Sequence, residues 1–168
     1  MSSIERTAYP RFAPGRLLRE HELEQFYSLT PDELTFINEK IRAPLLQLNF
    51  AVQLKTFQRL GYFTEFKHVP MIIIEHIKKC LGQFNSDISP HYVNDKTRYI
   101  HRNKICSYLK INRWKKTKAD GKAEYPGRHF AIQIAYQAAQ TMNYPSDIIN
   151  VVIEELIHNH YELLLSSN

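Results

Sequence analysis

Residues 30–61 read TPDELTFINEKIRAPLLQLNFAVQLKTFQRLG, and this stretch decides the fold. Thr30 is suited to cap a helix. Pro31 fits the first helical position, where its missing N–H is not needed, and Glu33 closes a capping box. The helix is predicted to run to about Ile41, burying Leu34, Ile37 and Phe36. Pro44 opens a second helix that runs to about Leu60 and stops at Gly61. Its apolar residues, from Leu45, Leu46 and Leu48 to Phe50, Val52, Leu54, Phe57 and Leu60, point almost all round the axis. A helix apolar on every side is a buried central helix.

On the C-terminal side, Pro70 opens a helix ending at Leu81 before Gly82, with Met71, Ile72, Ile74, Ile77 and Leu81 as its core. The Ile72–Ile74 run alone would suit a strand. The Pro start, the Gly stop and the length favour helix. Shorter helices are predicted near 19–27 and over 88–93, and longer ones over 95–109, 128–142 and 146–160. The segment 112–128, polar and basic with Gly121, Pro126 and Gly127, reads as a mobile loop. About seven helices and no convincing strand give an all-α fold of two small helical subdomains with helix-turn-helix-like elements. The division expected is an N-terminal arm, 1–19, a first helical DNA-binding subdomain, 20–84, and a second, 85–168, carrying the basic loop 112–128. The break is set by Asn85-Ser86-Asp87 and Pro90.

The 168 residues are 43% apolar and 12% aromatic, enough to form a core, and only 5 are glycine, which argues against a turn-rich sandwich or barrel. No window approaches a membrane-spanning apolar run, and the N-terminus has no apolar signal region. Cys80 and Cys106 lie outside any CxxC, which excludes a thiol-rich zinc site and suits a reduced, cytoplasmic setting.

Charge placement says more than the net +5. Residues 1–95 hold 11 cations and 11 anions, whereas 96–128 hold 11 cations against Asp120 and Glu124. Residues 129–168 hold four anions and no Lys or Arg. One short block carrying half of all cations attracts a polyanion, or else forms a solvated surface loop.

No phosphate loop, dinucleotide fingerprint, nucleophile elbow or HExxH is present. His158 and His160 are two apart and diverge on a helix; His68 and His76 lack ligands at suitable spacing. Glu154-Glu155 and Asp32-Glu33 are adjacent on helices and face apart, so caps and solvated faces explain them better than acid–base catalysis. No catalytic residue, metal, cofactor or small-molecule substrate is therefore expected. On the helix from 95, Arg98 shares a face with His101, Ile105 and Leu109, which allows either a buried ion pair or a DNA contact. Trp114, amid Arg113, Lys115, Lys116 and Lys118, either anchors a helix end or stacks on a base.

The ordered set of motifs resembles the N-terminal region of the large, replicative, cointegrate-forming bacterial transposases of the Tn-three type. Phe26-Tyr27-Ser28-Leu29-Thr30-Pro31-Asp32-Glu33-Leu34 is similar to that family's YxLSPEDL segment. Arg42, Phe50-Ala51-Val52-Gln53-Leu54, Leu60-Gly61, His68-Val69-Pro70 and Leu81-Gly82 follow in order. Tyr92 and Asp95-Lys96-Thr97-Arg98-Tyr99-Ile100-His101 resemble its YxxRxxTRxxH segment, and Glu154-Glu155-Leu156-Ile157 its closing helix. The family's Asn-Arg pair and Gly after Arg42 are replaced by Leu46, Gln47 and Asn49, so no contact carries over there. Residues 115–127 look like a local insertion.

The resemblance implies sequence-specific binding of terminal inverted-repeat DNA, with the metal-dependent catalytic centre far downstream. This chain is then expected to be a fragment or truncated product that binds double-stranded DNA without cutting it. The rest of the transposase and a second copy of it are the further partners. The residues expected to meet DNA are Arg42, Lys55, Lys96, Arg98, Arg102, Lys104, Arg113, Lys115, Lys116 and Lys118. A helical protein-interaction or assembly module of the transposition complex is the alternative.

Overall fold

In a computed structural model, which describes residues 9–12, 16–84 and 86–164, the protein is all-α: seven α-helices, one 3-10 turn (Phe66–His68) and one two-stranded ribbon among the described residues. The helices are α1 (Glu20–Tyr27), α2 (Pro31–Lys40), α3 (Pro44–Leu60), α4 (Met71–Cys80), α5 (Asp95–Tyr108), α6 (Pro126–Ala138) and α7 (Pro145–His158). The ribbon pairs β1 (Lys116–Thr117) with β2 (Ala123–Glu124). Much of the expected arm over 1–19 lies outside the described residues.

The caps act as the sequence predicts. Thr30 Oγ1 accepts from the Glu33 N–H at 3.2 Å, and Glu33 Oε2 accepts from the Thr30 N–H at 2.9 Å. Gly61 ends α3 at φ 78°, a left-handed conformation that costs glycine little, with its N–H bonded to the Phe57 carbonyl at 2.7 Å. The chain divides into two compact units, one spanning Arg11–Ile105 and the other formed by Cys106–Asn168 with Met1–Pro10.

In the first unit α1, α2 and α4 pack around α3, the central helix its apolar circumference demands. Leu48, Phe50, Val52 and Leu54 have no exposed surface, and neither do Ile37, Ile73 and Ile77 on the helices around them. The unit ends at 105 rather than at the expected break near 85, because residues 86–105 supply part of this core. Asn49, fully buried on α3, donates to the His91 carbonyl at 2.5 Å and accepts from its N–H at 3.0 Å. The short helix expected over 88–93 is absent. Pro90 lacks an N–H, and Asn49 satisfies the His91 backbone in place of helical partners. Asn94 Oδ1 then caps α5 by accepting from the Thr97 N–H at 2.8 Å.

In the second unit α6 and α7 pack on each other. After α5, residue 112 pairs alongside 161: the Asn112 N–H donates to the His160 carbonyl at 2.7 Å, and the Glu162 N–H to the Asn112 carbonyl at 2.9 Å. Phe130 stacks on Tyr161 at 4.8 Å between centroids, and the Tyr9 hydroxyl donates to the Leu164 carbonyl. A Cβ on Gly127 would stand 2.6 Å from Trp114 Cε3, so only glycine admits the indole against the start of α6. Trp114 is thus a packing anchor for this helix end.

Candidate nucleic-acid interface

The segment expected as a loop over 112–128 contains the ribbon. Lys116 sits opposite Glu124 and Thr117 opposite Ala123, and the Lys118 N–H donates to the Lys122 carbonyl at 2.9 Å. A turn through Gly121 joins the strands, with Asp120 Oδ1 accepting from the Lys122 N–H at 3.0 Å. The hydrogen-bond ladder was hidden from sequence reading because two residue pairs give no alternating apolar pattern.

The ribbon carries the expected cations outward. Lys115, Lys116 and Lys118 are exposed, as is Lys122, which the sequence reading left out. Lys118 Nζ approaches Glu124 at 3.7 Å and Lys122 Nζ approaches Asp120 at 3.9 Å, both with exposed side chains. Such solvated pairs are weak and exchange readily for a phosphate. Lys115 Nζ lies 5.7 Å from the centre of the Tyr125 ring. Arg128, also exposed, stands in the first turn of α6, where the helix dipole disfavours a cation. Its place in the 96–128 block was the available signal for it. Arg113 differs: its Nε donates to Glu162 Oε2 at 2.9 Å in a half-buried pair.

Among the first unit's expected contacts, Arg42 and Lys96 are exposed and Lys104 is half-buried. Lys55 has to be withdrawn. Its ammonium lies 3.2 Å from Glu33 inside the unit, with side chains only 8% and 4% exposed. Glu33 also accepts from Gln58 Nε2 at 2.8 Å. A charge buried on the central helix needs such a partner. Arg98 corrects a second expectation: its partner is no buried carboxylate but Asp95, at 2.5 Å and 88% exposed. His101 and Ile105 do face the core, whereas Arg98 stops at its rim. The Arg102 guanidinium lies 5.0 Å from the Phe63 ring centre.

His101 explains why α5 holds its position. Its ring meets Phe50 and Tyr92 edge-on at 5.4 Å each, and its Nδ1 is 2.9 Å from the Tyr92 hydroxyl. Burial, and then the nearby Lys104 charge, push its pKa down to about 4, so the ring is neutral. Burial raises the Tyr92 hydroxyl, keeping it protonated.

Residues 1–164 match the family described as Domain of unknown function (DUF4158). The chain belongs to that family. No curated protein and no solved structure matches it. In this DUF4158 chain no described helix is long and apolar enough to cross a membrane.

Proposed function

We propose that this chain is a double-stranded DNA-binding module, the N-terminal region of a Tn-three-type replicative transposase, engaging the transposon's terminal inverted repeats. The observation that carries the reading is the outward-facing cation set on the 115–122 ribbon. Among the described residues its lysines pair with Asp120 and Glu124, both held loosely at the surface. The motif order from Phe26 to His101 supplies the transposase part of the reading. A helix-turn-helix-like element entering a groove, with the ribbon on phosphates, is the docking mode proposed. On this reading the chain works in the bacterial cytoplasm, without catalysis of its own.

A titration of labelled inverted-repeat duplex against scrambled duplex at several salt concentrations tests it. Sequence preference with a steep salt dependence supports the proposal, and equal weak binding to both duplexes rejects it. Neutralising Lys115, Lys116 and Lys118 together is expected to weaken binding to every duplex and to reduce the salt slope by roughly two to three units. An unchanged slope means that the ribbon is only a solvated surface.

A second reading, a protein-interaction module of the transposition complex, is favoured by one feature. The α6–α7 pair exposes Ile132 and Ile149 beside an open, apolar groove of about 350 Å³ floored by Ala131, Val152 and Ile153.

A further inference from the structure

The first unit contains a pocket of about 260 Å³ between the residue 64–67 turn, residues 90–92 and the start of α5. It lies apart from the ribbon in sequence, and it is lined by Arg98 and Arg102, two of the residues expected above to meet DNA. Its walls combine three chemistries. Arg98, Arg102 and Lys67 bring three cations; Lys67 pairs with Glu65 at 2.7 Å and Arg98 with Asp95 at 2.5 Å, exposed pairs that a phosphate can displace. Phe66 and Tyr92, stacked at 5.2 Å and 30°, form an aromatic wall. The third group is Gln53, buried at 2% exposure. Its Nε2 donates to the Thr64 carbonyl at 2.8 Å, which fixes the amide orientation and leaves Oε1 as an acceptor. That oxygen is buried with no hydrogen-bond partner among the described residues.

A buried acceptor left unsatisfied costs stability and is uncommon, so a small shift of the Gln53 side chain that opens Oε1 to a donor in the pocket is favoured. The pocket is also prebuilt. Asn49 clamps the His91 backbone from both sides, and the His101–Tyr92 contact fixes the aromatic wall. A ligand that satisfies all three chemistries is anionic, has a flat apolar face and carries an N–H donor on that flat part. We infer that this pocket receives a single unstacked nucleotide, its phosphate toward Arg98 and Lys67, its base against Phe66 and Tyr92, and an amino group of the base toward Gln53. Aromatic faces with flanking arginines are how unpaired bases are held without a duplex. The pocket lies just below the ~300–1,000 Å³ that encloses drug-sized ligands, a scale suited to one nucleotide.

The nucleotide has two possible sources, a DNA strand or the free pool, and one experiment separates them. Backbone amide shifts of Thr64–Lys67 and Tyr92 in the full chain are followed by NMR. The probes are deoxyadenylate, a short single-stranded deoxyadenosine oligomer, the same oligomer with its bases removed, and inorganic phosphate. Saturable shifts confined to the pocket with the first two probes are expected. The abasic oligomer and phosphate are expected to bind roughly tenfold or more weakly. An oligomer far tighter than deoxyadenylate assigns the pocket to a strand; equal affinities assign it to the free nucleotide. Arg98→Gln and Phe66→Leu, both at the rim, are expected to weaken binding roughly tenfold with unchanged melting temperatures. Neutralising the ribbon lysines is expected to leave deoxyadenylate binding intact, so failure here is distinguishable from failure of duplex binding. No pocket shifts at millimolar nucleotide, equal binding of phosphate and deoxyadenylate, or unchanged affinity in both variants overturns the inference.

Discussion

The two units use polar residues in opposite ways. The first turns them inward: Glu33, Asn49, Gln53, Lys55 and His101 are all buried, and each is held by a named partner. The second turns its lysines outward along the ribbon and has a thin core. Among its described residues the most enclosed apolar side chain, Leu163, is still 3% exposed, whereas six Leu, Ile and Phe side chains named above in the first unit reach zero. Both units leave large apolar side chains in solvent, Phe84 and Val93 in the first and Tyr136 and Tyr144 in the second. Helix ends follow the same division. In the first unit α3 closes on Gly61, while α5 and α7 close on Lys110 and His160, two non-glycine residues forced to φ 55° and 56°. The first unit holds the more completely buried core, and the second carries its lysines outward and both left-handed non-glycine helix ends.

The strongest way to break this contrast is to remove a polar partner from the first unit. Lys55→Ala leaves the Glu33 carboxylate buried without its counter-ion and is expected to cost about 3–5 kcal/mol, read from denaturant midpoints. The double variant Glu33→Gln, Lys55→Met should recover much of that loss. A loss below 1 kcal/mol would mean that water reaches the pair and the unit's interior is less closed than its geometry indicates.

His101 gives the next largest effect. Its folded pKa is near 4, against an ordinary value of 6.5. The unfolded chain therefore takes up a proton that the folded ring refuses. The stability contribution is complete above about pH 6.5 and falls as the pH drops toward 4. At ~1.4 kcal/mol per pKa unit the total is on the order of 3 kcal/mol. His101→Phe is expected to be less stable at neutral pH but to lack this part of the acid dependence. A parallel slope in the variant assigns the effect to carboxylates elsewhere.

The smallest effect sharpens the contrast from the second unit. His160→Gly relieves a left-handed strain of ~1–2 kcal/mol, partly offset by the extra chain freedom of glycine at ~0.5–1 kcal/mol. A net gain of about 0.5–1 kcal/mol is expected, measured as a raised melting temperature. A destabilised variant would show that the His160 side chain makes a contact worth more than the strain.

The helices of both units were legible in the sequence because their signals are local. Thr30, Pro31, Pro44 and Gly61 act on backbone groups within one turn, and the spacing of Leu48, Val52 and Phe57 on a helix requires no knowledge of the neighbours. The all-round apolar pattern of α3 even located the centre of the first unit. The basic block was equally legible, since charge counting needs no fold, and it led directly to the ribbon lysines. Neither Lys55 nor the nucleotide pocket was legible in this way. A lysine's sequence neighbours do not reveal that Glu33, 22 residues earlier, lies beside it at 3.2 Å. Gln53, Phe66, Tyr92 and Arg98 come from separate elements, and no motif spacing links them.

What the sequence determined alone is therefore where helices start and stop, which helix is central, and where cations are concentrated. Only the tertiary structure decided which charges are used internally, that 88–93 is clamped by Asn49 rather than coiled, and that Trp114 rests on Gly127. The physical reason is range. Capping and periodicity are interactions between residues a turn apart, whereas burial, pairing and cavity formation depend on groups brought together only when the chain folds.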